Sequence, residues 1–322
     1  LAKDEDNVRP LFECTLCGNC TQICPAEFQP NRALEQVRAV LTDAPNAARD
    51  RLAEGVLQSG NPYNEDIAAK LRWAEDLDIS VDTKSDTLYF VGCTSALRTT
   101  DVARDTARVL KTLGIEFNVM NEEPCCGSVL LRTGKVTEAK ECAQKVAERI
   151  ASTGAKRVIV SCAGCYKTLK HDYAEMGVEM PAVLHVAELL ADEVKDQGLS
   201  LSSDEPFRVT YHDPCHLGRE MNVYDSPREI IDSIGNVTRV EMERNRAQAM
   251  CCGAGGGLRS YNGALAKKIG ADRVRDAEAV GAQAIVTACP FCEHNLRDGA
   301  NLIGSGVEVI DLMTILARAL RE

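Results

Sequence analysis

All but one of the fifteen cysteines in this 322-residue chain fall into spaced sets, and thiolates are the side chains that hold soft metals and iron–sulfur clusters. Residues 14–25 read CTLCGNCTQICP, a C-x2-C-x2-C-x3-C-P run. That spacing wraps a tight loop around a cubane 4Fe–4S cluster. Cys14, Cys17 and Cys20 reach three irons, while Cys24, expected at the start of a helix after Pro25, points toward a neighbouring cube. Zinc, the alternative, takes four ligands in paired knuckles and does not ask for the triple spacing.

The other cysteines repeat. Cys93, the pair Cys125–Cys126 and the C-x2-C of Cys162 and Cys165 form one set; Cys215, the pair Cys251–Cys252 and the C-x2-C of Cys289 and Cys292 form another, about 126 residues on. Two sets of five in one order are an internal duplication. Vicinal side chains diverge, so an adjacent pair suits two metal atoms of a cluster better than one small ion. Gly127 and Gly253, next to the pairs, are expected to let the backbone approach an inorganic core. A vicinal disulfide and a structural zinc site stand as the plainer readings of each pair. Cys142 is left over, beside the apolar stripe of a predicted helix, and reads as a small half-buried residue.

The elements that must position these thiols are legible around them. LYFVGC, VTYHDPC, RVIVSC and AIVTAC are β-branched or aromatic runs that stop at the thiol, and so read as strand ends. Between them, positions 102, 103, 107, 110 and 113 form an apolar stripe that stops at Gly114, and 136, 139, 143, 146 and 150 form a second, both at helical spacing. After each C-x2-C come a helix, another strand (PAVLHV, GVEVID) and a last helix (AELLADEV, LMTILARAL). Alternating strands and helices predict a parallel α/β sheet per repeat, with the cysteines gathered beyond the carboxyl ends of the strands. The expected fold is therefore α/β: two tandem repeats, 85–200 and 205–322, related by pseudo-twofold symmetry. They follow a small helical ferredoxin-like module at 1–45 and a helical linker at 46–84 that contains Trp73. His185 and Asp311, each just after a repeat's last strand, read as helix caps.

Composition removes other classes. The net charge of −11 comes with no basic patch and no aromatic–basic interleaving, which argues against nucleic acid. No apolar run approaches the roughly eighteen residues that span a bilayer, and the opening LAKDEDNVRP is too charged for a secretory signal. No direct membrane insertion is expected, and any membrane role is borrowed from a partner. Without an export signal, so many thiols point to the reducing cytoplasm and to metal rather than to disulfides.

The spacings Cx31CCx35CxxC and Cx35CCx36CxxC, with a glycine after each vicinal pair and preceded by CxxCxxCxxxCP, resemble the catalytic subunit of heterodisulfide reductases, in particular the D-subunit type that fuses a ferredoxin module to two CCG domains. The resemblance covers the chain from about residue 10 to its end. It implies one noncubane 4Fe–4S cluster on Cys93, Cys125, Cys126, Cys162 and Cys165, a second on Cys215, Cys251, Cys252, Cys289 and Cys292, and a disulfide substrate between them. Relatives serving lactate or glycolate oxidation, or sulfite-reduction complexes, often carry one incomplete motif. Here both are complete, which favours disulfide chemistry. The resemblance also implies a membrane cytochrome b-type or flavoprotein partner at the cytoplasmic membrane face. One departure stands out: no second CxxCxxCxxxCP partners Cys24, so an upstream module outside this sequence, or else a partner chain, is expected to supply it.

The repeats differ where chemistry needs protons. FVGCT surrounds Cys93, whereas HDPCH surrounds Cys215, so His212 and His216 bracket one site only. Either is a candidate proton donor for a disulfide that becomes two thiols; the alternative is a histidine satisfied by backbone or by Asp213. Arg132 and Arg259, which follow the two CCG motifs, are candidate forks for a sulfonate, phosphate or carboxylate on the substrate, with ordinary ion pairing as the alternative. The function read from these residues is an iron–sulfur oxidoreductase that cleaves or forms a thiol–disulfide substrate such as the CoB–CoM heterodisulfide. The rival is an electron relay without substrate between a flavin dehydrogenase and a membrane quinone module. An open pocket with convergent polar groups between the clusters favours the first, and a closed apolar wall the second.

Overall fold

The structure, a computed structural model, describes residues 5–195, Leu199 and residues 206–320. Two wholly parallel sheets organise it. The first contains β1 (Ser80–Val81), β2 (Thr87–Phe90), β3 (Asn118–Val119), β4 (Arg157–Val160) and β5 (Ala182–His185), laid out as β1-β3-β2-β4-β5. The second contains β6 (Phe207–His212), β7 (Val237–Val240), β8 (Ala284–Thr287) and β9 (Glu308–Asp311), laid out as β7-β6-β8-β9. Leaving aside the edge strand β1, the two orders are the same. β2 and β8 are buried along their whole length, as parallel strands covered on both faces must be, which is why their sequences run apolar without alternation.

In each sheet the chain leaves the first strand outward to the second, then crosses back to the third. That reversal opens a crevice beyond the carboxyl ends of β2 and β4, and of β6 and β8, where doubly wound sheets gather their ligands. The repeats also pack reciprocally. Helix Thr100–Thr112 of the first lies on helix Leu312–Ala319 of the second, and the matching helix Asp225–Asp232 of the second lies on Val186–Val194 of the first. Exchange of equivalent contacts is the mark of a twofold relation.

The helical stripes appear as expected. Val102, Ala103, Ala107 and Leu110 are buried on helix Thr100–Thr112, and Ala139, Ala143, Val146 and Ile150 on helix Val136–Ser152; Val136, at that helix's first position, is exposed instead. Both expected caps form: His185 accepts from the amide of Ala187 at 3.2 Å, and Asp311 from that of Met313 at 2.8 Å.

Two segments differ from the sequence reading. Residues 46–84 hold helix Ala47–Ser59, a 3-10 turn at Ile67–Ala74 and then β1, which joins the first sheet; Trp73 is buried with its ring edge-on to Tyr89, centroids 6.3 Å apart. This stretch is packed against the first repeat rather than strung between units, because its apolar positions find a partner in the sheet's core. In the N-terminal part the helices are Glu5–Phe12, Asn19–Gln22 and Pro30–Val40; the chain turns after Pro25, and the next helix opens only at Pro30, whose fixed φ and missing N–H suit the first helical position. The expected boundary at 200–205 lies outside the described residues. Among the described residues no helix is long and apolar enough to cross a membrane.

One side chain ties the three parts together. Arg38 is fully buried, and its guanidinium donates to the carbonyls of Leu11, Cys14, Arg132 and Gly256, the last two at 2.8 and 2.7 Å. Four carbonyls satisfy its fork, although burial still holds it down to about 10.

Candidate metal centre

Each cysteine of the first set stands where a strand gives way to a loop or helix. Cys93 follows β2 and opens helix Cys93–Leu97; Cys125 and Cys126 follow β3; Cys162 caps the short helix Ala163–Lys167 after β4, with Cys165 one turn in. All five are buried. Cys93 is hydrogen-bonded to Cys125, and Cys165 donates to the sulfur of Cys126 at 3.4 Å. The second set repeats this: Cys215 after β6, the pair Cys251–Cys252, and Cys289 capping helix Pro290–Ile303 with Cys292 in its first turn. Cys251 bonds to Cys215, and Cys252 to Cys292. All fifteen cysteines carry free thiols, so neither vicinal pair is a disulfide.

The sulfurs share protons unequally. Cys126 is held down to about 6 by hydrogen bonds from Cys125 and Cys165, while Cys289 is pushed up to about 11 as it bonds to Cys162. The Cys162–Cys289 bond joins equivalent positions of the two repeats, so the two sulfur sets meet at the pseudo-twofold axis. Ten buried or half-buried thiols with few other acceptors suit a multinuclear, electron-poor metal group that accepts them as thiolates. The backbone leaves room for one. Gly92 has φ +79°, and a Cβ there would stand 3.1 Å from the Cys165 sulfur, among the thiols of the first set.

The glycines of the CCG motifs have a different reason from the expected one. At Gly253 (φ +93°) a Cβ would lie 2.5 Å from the carbonyl of Ala266, so the constraint is a left-handed turn pressed against the following helix. The further glycines of MCCGAGGG serve the N-terminal loop: Cβ atoms on Gly255 and Gly256 would lie 2.6 Å from the Thr15 carbonyl and 2.5 Å from that of Cys14. Backbone meets backbone there, and Cys17 reaches in to hydrogen-bond Cys251, which together with burial pushes the Cys17 thiol up. Arg219 holds the loop by donating to the Cys17 carbonyl at 2.7 Å. Cys14, Cys17 and Cys24 are half-buried and Cys20 is exposed.

A cavity of about 410 Å³ opens between the two sets, lined by Cys93, Cys125, Cys126, Cys162 and Cys165 from one repeat and Cys215, Cys252, Cys289 and Cys292 from the other. Polar groups converge on it, among them Thr94, Arg98, Ser128, His216, Arg259 and His294.

The sequence candidates separate here. His216 faces the cavity, whereas His212 is fully buried at the end of β6, behind the sulfurs: one of its ring nitrogens and the Sγ atoms of Cys252 and Cys292 lie within 4.8 Å of one another, and Nδ1 accepts from Arg273 at 3.3 Å. Burial, reinforced by nearby arginines, holds both histidines down to about 3, so they are neutral at pH 7. The two proton-donor candidates part on access: His216 borders the cavity and His212 does not. Asp213 is not their partner; it is gripped by Arg228 at 2.7 and 2.9 Å. Arg132 borders the cavity, but its two terminal nitrogens are taken by Glu35 and Asp172, so it offers a substrate its charge and not an open fork. Arg259 is held by Asn295, His294 and Asp298 at 2.6, 2.6 and 2.7 Å while remaining partly open at the rim. Cys142 donates to the carbonyl of Cys125 at 3.3 Å and is raised to about 11 by burial, as a structural thiol.

Sequence reasoning missed Lys70, Glu123, Arg98 and His294. The lone lysine in the apolar run IAAKLRWA was the one visible signal, since a charge on a stripe that otherwise buries asks for a partner.

A family model for the CCG cysteine-rich domain matches residues 87–170 and again 209–297. The D subunit of the dihydromethanophenazine:CoB–CoM heterodisulfide reductase of Methanosarcina barkeri is 37% identical over 316 residues, 95% of this chain and 77% of that one. The B subunit of the fumarate reductase (CoM/CoB) of Methanothermobacter marburgensis is 33% identical over 314 residues, 96% of this chain and 61% of the relative. Among solved structures, a hypothetical protein from Helicobacter pylori has a TM-score of 0.59 at 9% identity, over 91% of this chain and 58% of that one, a likeness of fold alone.

Proposed function

The chain belongs to the CCG cysteine-rich domain family that includes the D subunit of heterodisulfide reductase, as an iron–sulfur oxidoreductase subunit that works with other subunits, and from that premise we propose that it cleaves or forms a disulfide in the cavity between its repeats. The observation that carries the proposal is the convergence of Arg98, Arg259, His216 and His294, drawn from both repeats, on the place where the two sulfur sets meet. A relay needs no such polar groups beside its clusters, and their presence supports the substrate reading.

In this reading Cys93, Cys125, Cys126, Cys162 and Cys165 hold one noncubane 4Fe–4S cluster, Cys215, Cys251, Cys252, Cys289 and Cys292 a second, and Cys14, Cys17, Cys20 and Cys24 serve a ferredoxin-type cubane cluster or clusters. Bound there, the clusters supply one-electron steps; a disulfide takes two electrons and two protons to become two thiols, and returns them in the reverse direction. The residues do the rest. The Cys17–Cys251 contact gives the N-terminal loop a short path to the second set. Arg259 at the rim attracts an anionic substituent, and Arg132 adds its field. His216 faces the cavity and is placed to hydrogen-bond the sulfur of the substrate as that sulfur gains or loses a proton. A cytochrome b-type or flavoprotein partner exchanges electrons with the cubane side.

The test is spectroscopic. Oxidised protein mixed with a small thiol should develop a paramagnetic signal that broadens with 33S-labelled thiol. Protein that passes electrons from a flavoprotein to a quinone analogue, yet gives no thiol-dependent signal, would be the relay.

A further inference from the structure

Lys70 lies outside both matched repeats, on the 3-10 turn Ile67–Ala74, with its side chain 2% exposed. Its ammonium has three protons and three acceptors: the sulfur of Cys93 at 3.5 Å, the carbonyl of Glu123 at 2.5 Å and Oε1 of Glu123 at 3.3 Å. The buried ammonium is paired with the Glu123 carboxylate, which offsets the cost of enclosing its charge. Glu123 is equally enclosed. Its carboxylate accepts from the backbone amides of Val91 at 2.7 Å and Gly92 at 2.8 Å, the turn that presents Cys93.

A buried ion pair that only fastened two loops would have no need to touch a ligand sulfur. This one does, and among the described residues the second repeat offers no equivalent: Ala249 stands two residues before Cys251, where Glu123 stands two before Cys125, and Cys215 is hydrogen-bonded to Cys251 instead. An iron–sulfur cluster gains negative charge on reduction, and hydrogen bonds and cations at its sulfurs favour the reduced form. In a water-poor site that preference is weakly screened.

Resting on the assignment of Cys93 as a cluster ligand, we infer that Lys70 is a positioning residue that raises the reduction potential of the first repeat's cluster through its contact with Cys93, and so makes the two clusters inequivalent. Electrons that enter beside Cys251 then run downhill to the first repeat. Glu123 opposes the effect while orienting the ammonium.

The experiment is a redox titration of the full cluster-loaded chain, followed by electron paramagnetic resonance, with iron counted in every sample. Lys70→Met should lower the reduction equilibrium constant of one cluster at least tenfold, about 59 mV for a one-electron couple, and leave the other unchanged. Lys70→Arg should restore most of the loss, and Glu123→Gln should shift the same cluster the opposite way. If Lys70→Met does not fold, the Glu123→Gln shift and the Lys70→Arg potential carry the test alone. Variants that lose stability or iron but leave both potentials where they were would overturn the inference and leave a structural ion pair. A wild-type chain that assembles no cluster on the two sets would overturn the proposed function as well.

Discussion

The two repeats offer the same sulfurs in different surroundings. The first set is closed by residues 46–84, where Ala53, Val56 and Tyr63 pack around Cys93 and Cys125, and Lys70 with Glu123 brings a buried charge pair to it. The second is closed by the N-terminal cysteine loop, which seats its backbone on Gly255 and Gly256 and sends Cys17 to Cys251. Strand order, caps and cysteine placement stayed alike while the lids diverged. The placement of the thiols survives duplication; what covers a site is free to change, and that is where one set receives a contact from the N-terminal cysteine loop and the other a buried charge pair.

The widest divergence in pH response should come from the equivalent caps. His185 is held down to about 4 by burial, so between pH 6.5 and 4 the unfolded chain binds a proton there that the folded chain does not. Stability should fall by about 3 kcal/mol as pH drops through that window. Asp311 is raised well above the ordinary carboxyl value, first by burial, so its unfolded form loses its proton before its folded form does, and stability should instead fall as pH rises above about 4. Urea unfolding at stepped pH checks both. His185→Asn should abolish the acid-side loss and Asp311→Asn the other, each leaving the opposite limb; identical profiles in the two variants would break the comparison.

The histidines sharpen it next. His216→Asn should keep full iron content and slow turnover about a hundredfold, the usual worth of a side chain positioned at a proton transfer. His212→Phe gives the second repeat the residue, Phe90, that the first carries three positions before its cysteine. That change should spare turnover to within about tenfold and instead cost about 1–3 kcal/mol, because the Arg273 Nε–H loses its acceptor in a buried site. Steady-state rates beside iron analysis and denaturation midpoints distinguish the two, and equal losses of rate would remove the distinction drawn from the cavity wall.

The smallest effect belongs to Cys142. Cys142→Ala removes one weak donor to the Cys125 carbonyl and should cost less than about 1.5 kcal/mol, with iron unchanged. A drop in iron confined to the first set would make Cys142 a sixth ligand and the two sets unequal in number.

Much of this was legible because it is local. Strand ends at Cys93, Cys162 and Cys289, the stripe Val102–Leu110 and the caps His185 and Asp311 follow from periodicity and from which side chains satisfy a helix's first amides, properties of a few consecutive residues. The helix expected after Pro25 opens only at Pro30, where Asn31 is hydrogen-bonded to Glu220 of the second repeat at 3.2 Å, a long-range contact that local signals do not carry.

By itself, then, the sequence determined which atoms can bind metal, that they come in two equivalent sets, and that each set stands at the edge of a parallel sheet. Tertiary structure alone decided which neighbours those sets received. Lys70 lies 23 residues from Cys93 along the chain, and Arg38 lies 218 from Gly256. Such pairs meet because a buried charge must find acceptors wherever packing brings them, and the fold of the whole chain, with no local pattern to announce it, fixes where that is.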